Sequence, residues 1–215
     1  MKFVMSYSCG KDSTLALYRM IKQNHEPIAL IVMCNKKDKR SWFHGVDDKL
    51  LDKISESLQI PLIKVVCHGE DYNNAFEDGL KKARAMGAEA CVFGDIDIED
   101  HKKWGKERCE NAGLDYVFPL WNENREKLTL EFVSLGFRAI IKCISNKHLP
   151  KDFLGKELDL SLIGLLKQKD IDVCGENGEY HTIVIGGPLF KEKVNIKYNG
   201  KKDFGDFSVL DITAN

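Results

Sequence analysis

The stretch Phe3-Val4-Met5-Ser6-Tyr7-Ser8-Cys9-Gly10-Lys11-Asp12-Ser13 decides the fold, because it places a tight polar turn between a strand and a helix. Its first apolar residues are typical of a buried strand. After the turn, apolar side chains follow the i, i+3, i+4, i+7 spacing of a helix with one apolar face: Thr14, Leu17, Tyr18 and Ile21. The first amides of that helix and its positive dipole end point to one place. The sequence therefore predicts a phosphate site at residues 8–13, which we call the phosphate turn.

Each residue type in the phosphate turn suits a nucleotide. Gly10 lets the backbone approach an anion closely, Ser8 and Ser13 offer hydroxyl donors, and Lys11 brings a positive charge. The Asp12 carboxylate would repel phosphates unless a divalent cation lay between them, so it predicts Mg²⁺ as a cofactor. The alternative is a plain strand–helix turn in which a side chain of residues 12–13 only caps the helix.

The spacing excludes two common nucleotide motifs. The turn does not match G-x-x-x-x-G-K-[ST], and no G-x-G-x-x-G follows a strand. It resembles instead the S-G-G-x-D-S loop of the ATP pyrophosphatases, which cleave ATP between the α and β phosphates. Cys9 stands where that loop has its first glycine, so a positive φ at this position would strain the backbone.

Composition limits the class of protein. The chain has 215 residues, of which 43% are hydrophobic, and this allows two modest domains. A net charge of -1 disfavours a nucleic-acid partner. The 7 cysteines include no C-x-x-C pair and are typical of free thiols in a reducing compartment. Since no apolar run is long enough to cross a bilayer, we expect a cytoplasmic protein without a membrane partner.

Apolar runs alternate with amphipathic stretches over the first 120 residues, which predicts a parallel sheet covered by helices. The pattern changes after Pro119-Leu120-Trp121. We therefore predict an α/β nucleotide-binding domain over 1–120 and a smaller mixed α+β domain over 121–215. In the second domain, Tyr198-Asn199-Gly200-Lys201 is predicted as a hairpin turn.

Further candidates follow the predicted strands, at the edge where the phosphate turn lies. Met33 closes the second apolar run, and Gly94-Asp95 follows the fourth. Asp95 is a candidate second carboxylate for Mg²⁺ or a contact to a ribose, with a simple turn residue as the alternative. His44, after Trp42-Phe43, could close over an adenine, although a lone histidine is more often structural. The basic run at 36–40 is typical of a solvated loop, or it helps to bind phosphates.

A second polar cluster, Cys174-Gly175-Glu176-Asn177-Gly178-Glu179-Tyr180-His181-Thr182, precedes a predicted strand. Alone it could be a polar β-turn. Together with the phosphate turn it predicts a substrate site, whose side chains hold an ammonium ion or move protons. The predicted substrate-binding residues are Glu176, Asn177, Gly178, Glu179, His181 and Thr182. The predicted catalytic residues are Lys11, Asp12 and Glu179.

Six segments resemble the diphthine–ammonia ligase family in their order along nearly the whole chain: 8–13, 41–44, 94–96, 119–121, 153–155 and 175–182. The resemblance implies a Rossmann-like domain of the adenine nucleotide alpha-hydrolase type, followed by a smaller domain whose glycine–glutamate motif faces ATP. It also implies an activity. Such enzymes adenylate the carboxylate of diphthine, a modified histidine on elongation factor 2, and ammonia then displaces AMP.

Two residues depart from the family motif E-G-G-E-[FY]-E-T, because Asn177 replaces a glycine and His181 replaces an acidic residue. The acceptor therefore stays open between a diphthine-bearing elongation factor and a small carboxylic acid. Two other functions compete: tRNA thiolation, which the missing C-x-x-C and the balanced charge disfavour, and a non-catalytic ATP sensor. The sequence also leaves a homodimer open.

Overall fold

A computed structural model describes residues 1–37, 40–42 and 44–215. The first sheet follows the order β3-β2-β1-β5-β6, with β4 also paired to β2, and its pairings are parallel except for β3. Its strands are β1 (Lys2–Ser6), β2 (Glu26–Asn35), β3 (Arg40–Ser41), β4 (Leu62–Cys67), β5 (Ala90–Val92) and β6 (Asp115–Val117). Its helices are α1 (Lys11–Lys22), α2 (Asp48–Leu58), α3 (Tyr72–Ala85) and α4 (Glu99–Ala112).

The second sheet is antiparallel, in the order β8-β7-β10-β9. Its strands are β7 (Arg138–Ser145), β8 (Tyr180–Gly186), β9 (Ile196–Asp203) and β10 (Phe207–Ala214). The helices α5 (Arg125–Ser134) and α6 (Leu160–Gln168) accompany it. This architecture confirms the predicted fold class, a parallel α/β sheet followed by a smaller mixed unit. The boundary at residue 120 stays a prediction.

One large core joins the two sheets. Leu15 and Leu17 on α1 belong to the same buried cluster as Phe132 on α5 and Ile183 on β8. Between the two sheets, the Val184 amide on β8 donates a hydrogen bond to the Cys9 carbonyl at 2.8 Å. The second sheet is therefore fixed directly against the phosphate turn. A second cluster, which includes Phe76 and Leu80 of α3, covers the opposite face of the parallel sheet.

The hairpin predicted at residues 198–201 is wrong. These residues lie inside β9, and the chain reverses at Phe204–Phe207, where Gly205 has a φ of 83°. Gly200 instead serves a β-bulge: it faces Asp211, and the next register pair skips Asn199. An Asn-Gly pair favours a bulge as well as a turn, because both need glycine's positive φ.

None of the helices in the described part of the chain combines the length and the apolar character needed to cross a bilayer.

Candidate functional site

A cavity of about 500 Å³ lies at the carboxyl edge of the parallel sheet, between the phosphate turn and the loop before β8. One part of its wall is aromatic, because Trp42 packs edge-on against Tyr72, which in turn contacts Trp104. Met33, at the end of β2, completes this wall. Apolar residues such as Ile31, Val32 and Phe93 also line the cavity. The polar residues and glycines of the lining are Ser8, Lys11, Asp12, Ser13, His44, Gly94, Asp95, Glu176, Gly178, His181 and Thr182.

The phosphate turn is held by its own hydroxyl groups. Ser13 Oγ donates a hydrogen bond to the Gly10 carbonyl at 3.1 Å and lies 3.0 Å from Ser8 Oγ. Gly10 precedes the first residue of α1, so the unpaired amides of the helix begin here. One of those amides, Lys11 N, already donates to Thr182 Oγ1 at 3.1 Å. The second polar cluster thus contacts the phosphate turn, as the predicted substrate site requires.

Lys11 forms the charged centre of the cavity. Its side chain is only 5% exposed, and its Nζ lies 2.9 and 2.7 Å from the two oxygens of Asp12 and 4.0 Å from Glu176 Oε1. Burial, the largest single influence, lowers the pKa of Lys11. The surrounding negative groups, with Asp12 first among them, together outweigh it and hold that pKa well above its usual value. Lys11 is therefore a permanent cation, suited to binding phosphate.

Two carboxylates and a thiol converge beside this lysine. Ligand atoms of Asp12, Cys174 and Glu176 lie within 4.8 Å of one another. Burial, followed by the charge of Asp12, raises the pKa of Glu176 to about 7. Burial also raises the pKa of Cys174 to about 12, so the thiol stays protonated. The carboxylate oxygens are hard donors that suit Mg²⁺, and a cation between them would relieve their repulsion.

Asp95 lies elsewhere in the cavity wall. Its Oδ1 is 3.1 Å from Nδ1 of His101 on α4. Among the described residues, the group that could hold a metal contains Asp12 but not Asp95. The structure therefore offers Glu176 as a further partner for Asp12 in a metal site, and the metal role of Asp95 stays a prediction.

Cys9 adopts a left-handed conformation, which strains a cysteine and which the glycine of related loops would adopt without strain. Its φ is 66°, and its side chain is 1% exposed in the core. Burial raises the pKa of the Cys9 thiol far above its usual value, and the thiol is not part of the cavity lining. Cys9 is thus a packing residue in a left-handed position and not a nucleophile.

We expect Cys9→Gly to be more stable than Cys9→Ala, by about 1 kcal/mol. Both variants lose the buried thiol, but only glycine adopts the observed φ of 66° without a steric penalty. Equilibrium urea unfolding measures the difference. An alanine variant as stable as the glycine variant, or more so, would show that Cys9 stores no strain.

His44 lies over the phosphate turn and not with the aromatic wall. A Cβ atom at Gly10 would come 2.7 Å from His44 Cε1. His44 Nδ1 lies 2.7 Å from the Thr182 carbonyl oxygen, so this nitrogen carries the proton, and the ring is 5.0 Å from that of His181. Burial, and then His181, lowers the pKa of His44 to about 3. The flanking Phe43 lies outside the described residues, as do Asp38 and Lys39 of the basic run.

Acidification should destabilise the protein through His44. Its pKa is about 3 in the folded chain against a usual 6.5, so between these values the unfolded chain binds a proton that the folded chain excludes. Stability is then lost as pH falls, by up to about 1.4 kcal/mol per pH unit. Urea unfolding between pH 7 and pH 5 should show a flatter slope for His44→Gln. The exposed His148→Gln serves as control, and an unchanged slope in His44→Gln would contradict the assignment.

The second polar cluster, residues 174–182, divides into residues that line the cavity and residues that do not. Glu176, Gly178, His181 and Thr182 line the cavity, whereas Asn177 and Glu179 do not. Glu179 is 4% exposed, and its carboxylate accepts hydrogen bonds from the Asn177 backbone N at 3.0 Å and Nδ2 at 3.1 Å. Glu179, predicted as catalytic, thus holds the backbone and side chain of Asn177 within its own loop. Glu176 lies beside Lys11 and Asp12.

Sequence reasoning missed the contacts that shape this cluster. Arg125 binds Asp97, Asp172 and Asn177, and Cys174 lies beside Asp12. The partners of Arg125 are 28, 47 and 52 residues away along the chain. The sequence held one signal of these contacts. Arg125 stands at the start of a helix, where a cation opposes the helix dipole and therefore indicates a role outside the helix.

The fold and the cavity together indicate the class of protein to which this chain belongs. A parallel α/β sheet with a phosphate turn between β1 and α1, facing an aromatic wall, is the architecture of a nucleotide-binding protein, and the turn resembles that of the ATP pyrophosphatases. The chain belongs to the diphthamide synthase family, because the family model of the diphthamide synthase N-terminal domain matches residues 1–116 and that of the C-terminal domain matches residues 124–215.

Similar proteins of known name belong to the same family. Diphthine–ammonia ligases from Bos taurus and Homo sapiens are 26% identical over 220 residues, which cover 90% of this chain and 82% of each relative. The ligase of Schizosaccharomyces pombe is 26% identical over 90% of this chain but only 36% of its own length. The predictions of family membership and of a ligase-type enzyme are confirmed at the level of the family.

A solved structure, described as a predicted subunit of tRNA methyltransferase from Methanocaldococcus jannaschii, covers 90% of this chain and 100% of its own, with 15% identity and a TM-score of 0.46.

Proposed function

We propose that this chain is an ATP-dependent amide ligase of the diphthine–ammonia ligase type. The observation that carries the proposal is one cavity in which the phosphate turn, with Lys11 and Asp12, faces Glu176 and His181 across the join of the two sheets. The relatives that match nearly the whole chain carry the name of that ligase. ATP and ammonia are then the substrates.

In the first proposed step, ATP lies with its base against the aromatic wall and its phosphates on the phosphate turn. A carboxylate oxygen of the acceptor attacks the α-phosphorus, and the bond from that phosphorus to the bridging oxygen breaks. Pyrophosphate leaves with the electron pair, while Lys11 and the amides of α1 stabilise its charge.

Asp12 and Glu176 would hold Mg²⁺, which when bound would supply further screening of the phosphate charges.

In the second proposed step, ammonia attacks the activated carbonyl carbon, and the bond to AMP breaks. The nitrogen must lose a proton, and His181 in the cavity wall can accept it. Burial, followed by the charge of Lys11, lowers the pKa of His181, so its imidazole is neutral and free to act as a base. In this role His181 replaces the acidic residue of the family motif.

The test combines product analysis with a defined acceptor. The purified protein receives ATP, Mg²⁺, ammonium chloride and elongation factor 2 that carries diphthine. We expect equal amounts of AMP and pyrophosphate, and conversion of the acceptor carboxylate to an amide by mass spectrometry. ADP with inorganic phosphate would overturn the proposal, and ATP binding without turnover under any acceptor would favour a sensor. Turnover with a small carboxylic acid alone would keep the chemistry and change the acceptor.

A further inference from the structure

Arg125 joins three segments, two of which contribute other residues to the cavity lining. It is the first residue of α5, and its Nε and Nη2 donate to the two oxygens of Asp97, each at 2.7 Å. Its Nη1 donates to Asp172 Oδ2 at 2.6 Å and to Asn177 Oδ1 at 3.0 Å. Asp97 follows β5 of the parallel sheet, whereas the other two acceptors belong to the loop before β8. One guanidinium therefore bridges both halves of the site.

The acceptor Asp172 in turn shapes the loop that carries Glu176. Its Oδ1 accepts a hydrogen bond from the Cys174 amide at 2.9 Å, and its Oδ2 accepts one from the Glu176 amide at 3.3 Å. Fixing this carboxylate fixes the backbone on both sides of Gly175. The same loop places Glu176 Oε1 4.0 Å from Lys11 Nζ.

Local helix stability does not account for an arginine at this position. A cation in the first turn of α5 opposes the helix dipole and costs a fraction of a kcal/mol by itself. A planar fork that bonds one carboxylate with two nitrogens and a second carboxylate with the third is a geometry that arginine supplies and lysine does not. The contacts of Arg125 are thus directed at the loop and not at its own helix.

We propose that Arg125 is a positioning residue that clamps the loop 172–178 over the phosphate turn and so holds Glu176 beside Lys11 and Asp12. Asn177, which stands at a glycine position of the family motif, adds a contact to this clamp that glycine lacks. The kinetic consequence of the clamp rests on the proposed function. The clamping itself does not.

Thiol labelling tests the clamp without any turnover. Cys174 lies in the clamped loop and is 1% exposed, so iodoacetamide should alkylate it slowly in the wild type. In Arg125→Ala we expect alkylation of Cys174, followed by peptide mass spectrometry, to be at least about 10-fold faster, because the loop opens locally. Arg125→Lys should recover part of the protection.

Two controls separate loop opening from general loosening. Arg138 forms a comparable forked ion pair with Glu157 away from the cavity, and Arg138→Ala should label like the wild type. Cys9, equally buried in the core, is the internal reference. The proposal is overturned if Cys174 in Arg125→Ala labels at the wild-type rate, or if Cys9 accelerates as much. Should Arg125→Ala not fold, Asp97→Asn removes only one arm and must accelerate labelling of Cys174 to a smaller extent.

The kinetic test compares turnover with ATP binding. In Arg125→Ala we expect kcat for amide formation to fall by about 10-fold or more, while the Kd for ATP changes by less than about 3-fold, since the phosphate turn is untouched. A purely structural role would lower both the apparent kcat and the number of ATP-binding sites through loss of folded protein, and Arg125→Lys would rescue neither. If the wild type makes no amide, the proposed function fails, while the labelling result still decides whether the clamp exists.

Discussion

Asp12→Asn should lower the rate of pyrophosphate release by at least about 100-fold while the protein stays folded. The substitution keeps the shape of the side chain and removes the charge that faces Lys11 Nζ at 2.7 Å. Lys11 keeps a carboxylate neighbour, because Glu176 lies 4.0 Å away and ionises more readily once the charge of Asp12 is gone. The loss of activity would then reflect the reaction and not the fold.

The dependence on Mg²⁺ distinguishes a metal-binding role from a structural one. Without Mg²⁺, the Asp12 carboxylate repels the phosphates, so Asp12→Asn should bind ATP more tightly than the wild type. With Mg²⁺ present, the order should reverse, because the variant lacks a ligand for the ion. Titration calorimetry with ATP, in the presence and absence of Mg²⁺, measures both.

The surface variant Asp78→Asn loses an exposed ion pair with Lys81 and is the matched control. An unchanged rate in Asp12→Asn would exclude the phosphate turn from the mechanism. The same weakening of ATP binding with and without Mg²⁺ would instead make Asp12 a structural residue.

The sequence predicted the elements that local patterns determine. The spacing after the phosphate turn predicted α1, because a helix that is buried on one face has apolar residues at a helical period. The alternation of apolar runs with amphipathic stretches predicted the parallel sheet, because strands that are buried on both faces are apolar throughout. The position of the binding site at the carboxyl edge of the sheet followed from the topology, since the carboxyl ends of parallel strands meet at one edge. Met33, Gly94 and Asp95 accordingly line one cavity with the phosphate turn.

The sequence could not show which acidic residue of the second cluster faces the cavity. Glu176 and Glu179 stand on either side of Gly178, which has a φ of 83°, while Gly175 has a φ of 75°. Two left-handed residues turn the chain so that Glu176 points to Lys11 and Glu179 turns back to Asn177. Such directions depend on backbone angles that glycine leaves open, so no spacing rule fixes them.

Gly94→Ala should weaken ATP binding by at least about 10-fold and lower the free energy of unfolding by about 1–3 kcal/mol. A Cβ atom at Gly94 would lie 2.7 Å from Ser13 N and 2.8 Å from Ser13 Cα. Both are backbone atoms at the start of α1, so no side-chain rotation relieves the overlap. The phosphate turn must shift, and its amides then no longer point to one anion.

Two glycine variants show whether this loss comes from the phosphate turn or from destabilisation in general. At Gly187 a Cβ atom would meet Phe137 Cα at 2.8 Å, outside the cavity lining, so Gly187→Ala should lower stability and leave the Kd for ATP unchanged. A Cβ atom at Gly164 in α6 would have open space around it, so Gly164→Ala should raise the free energy of unfolding by about 0.5–1 kcal/mol. If Gly94→Ala binds ATP like the wild type, the loop after β5 does not shape the nucleotide site. If Gly187→Ala weakens binding equally, the effect is one of overall stability.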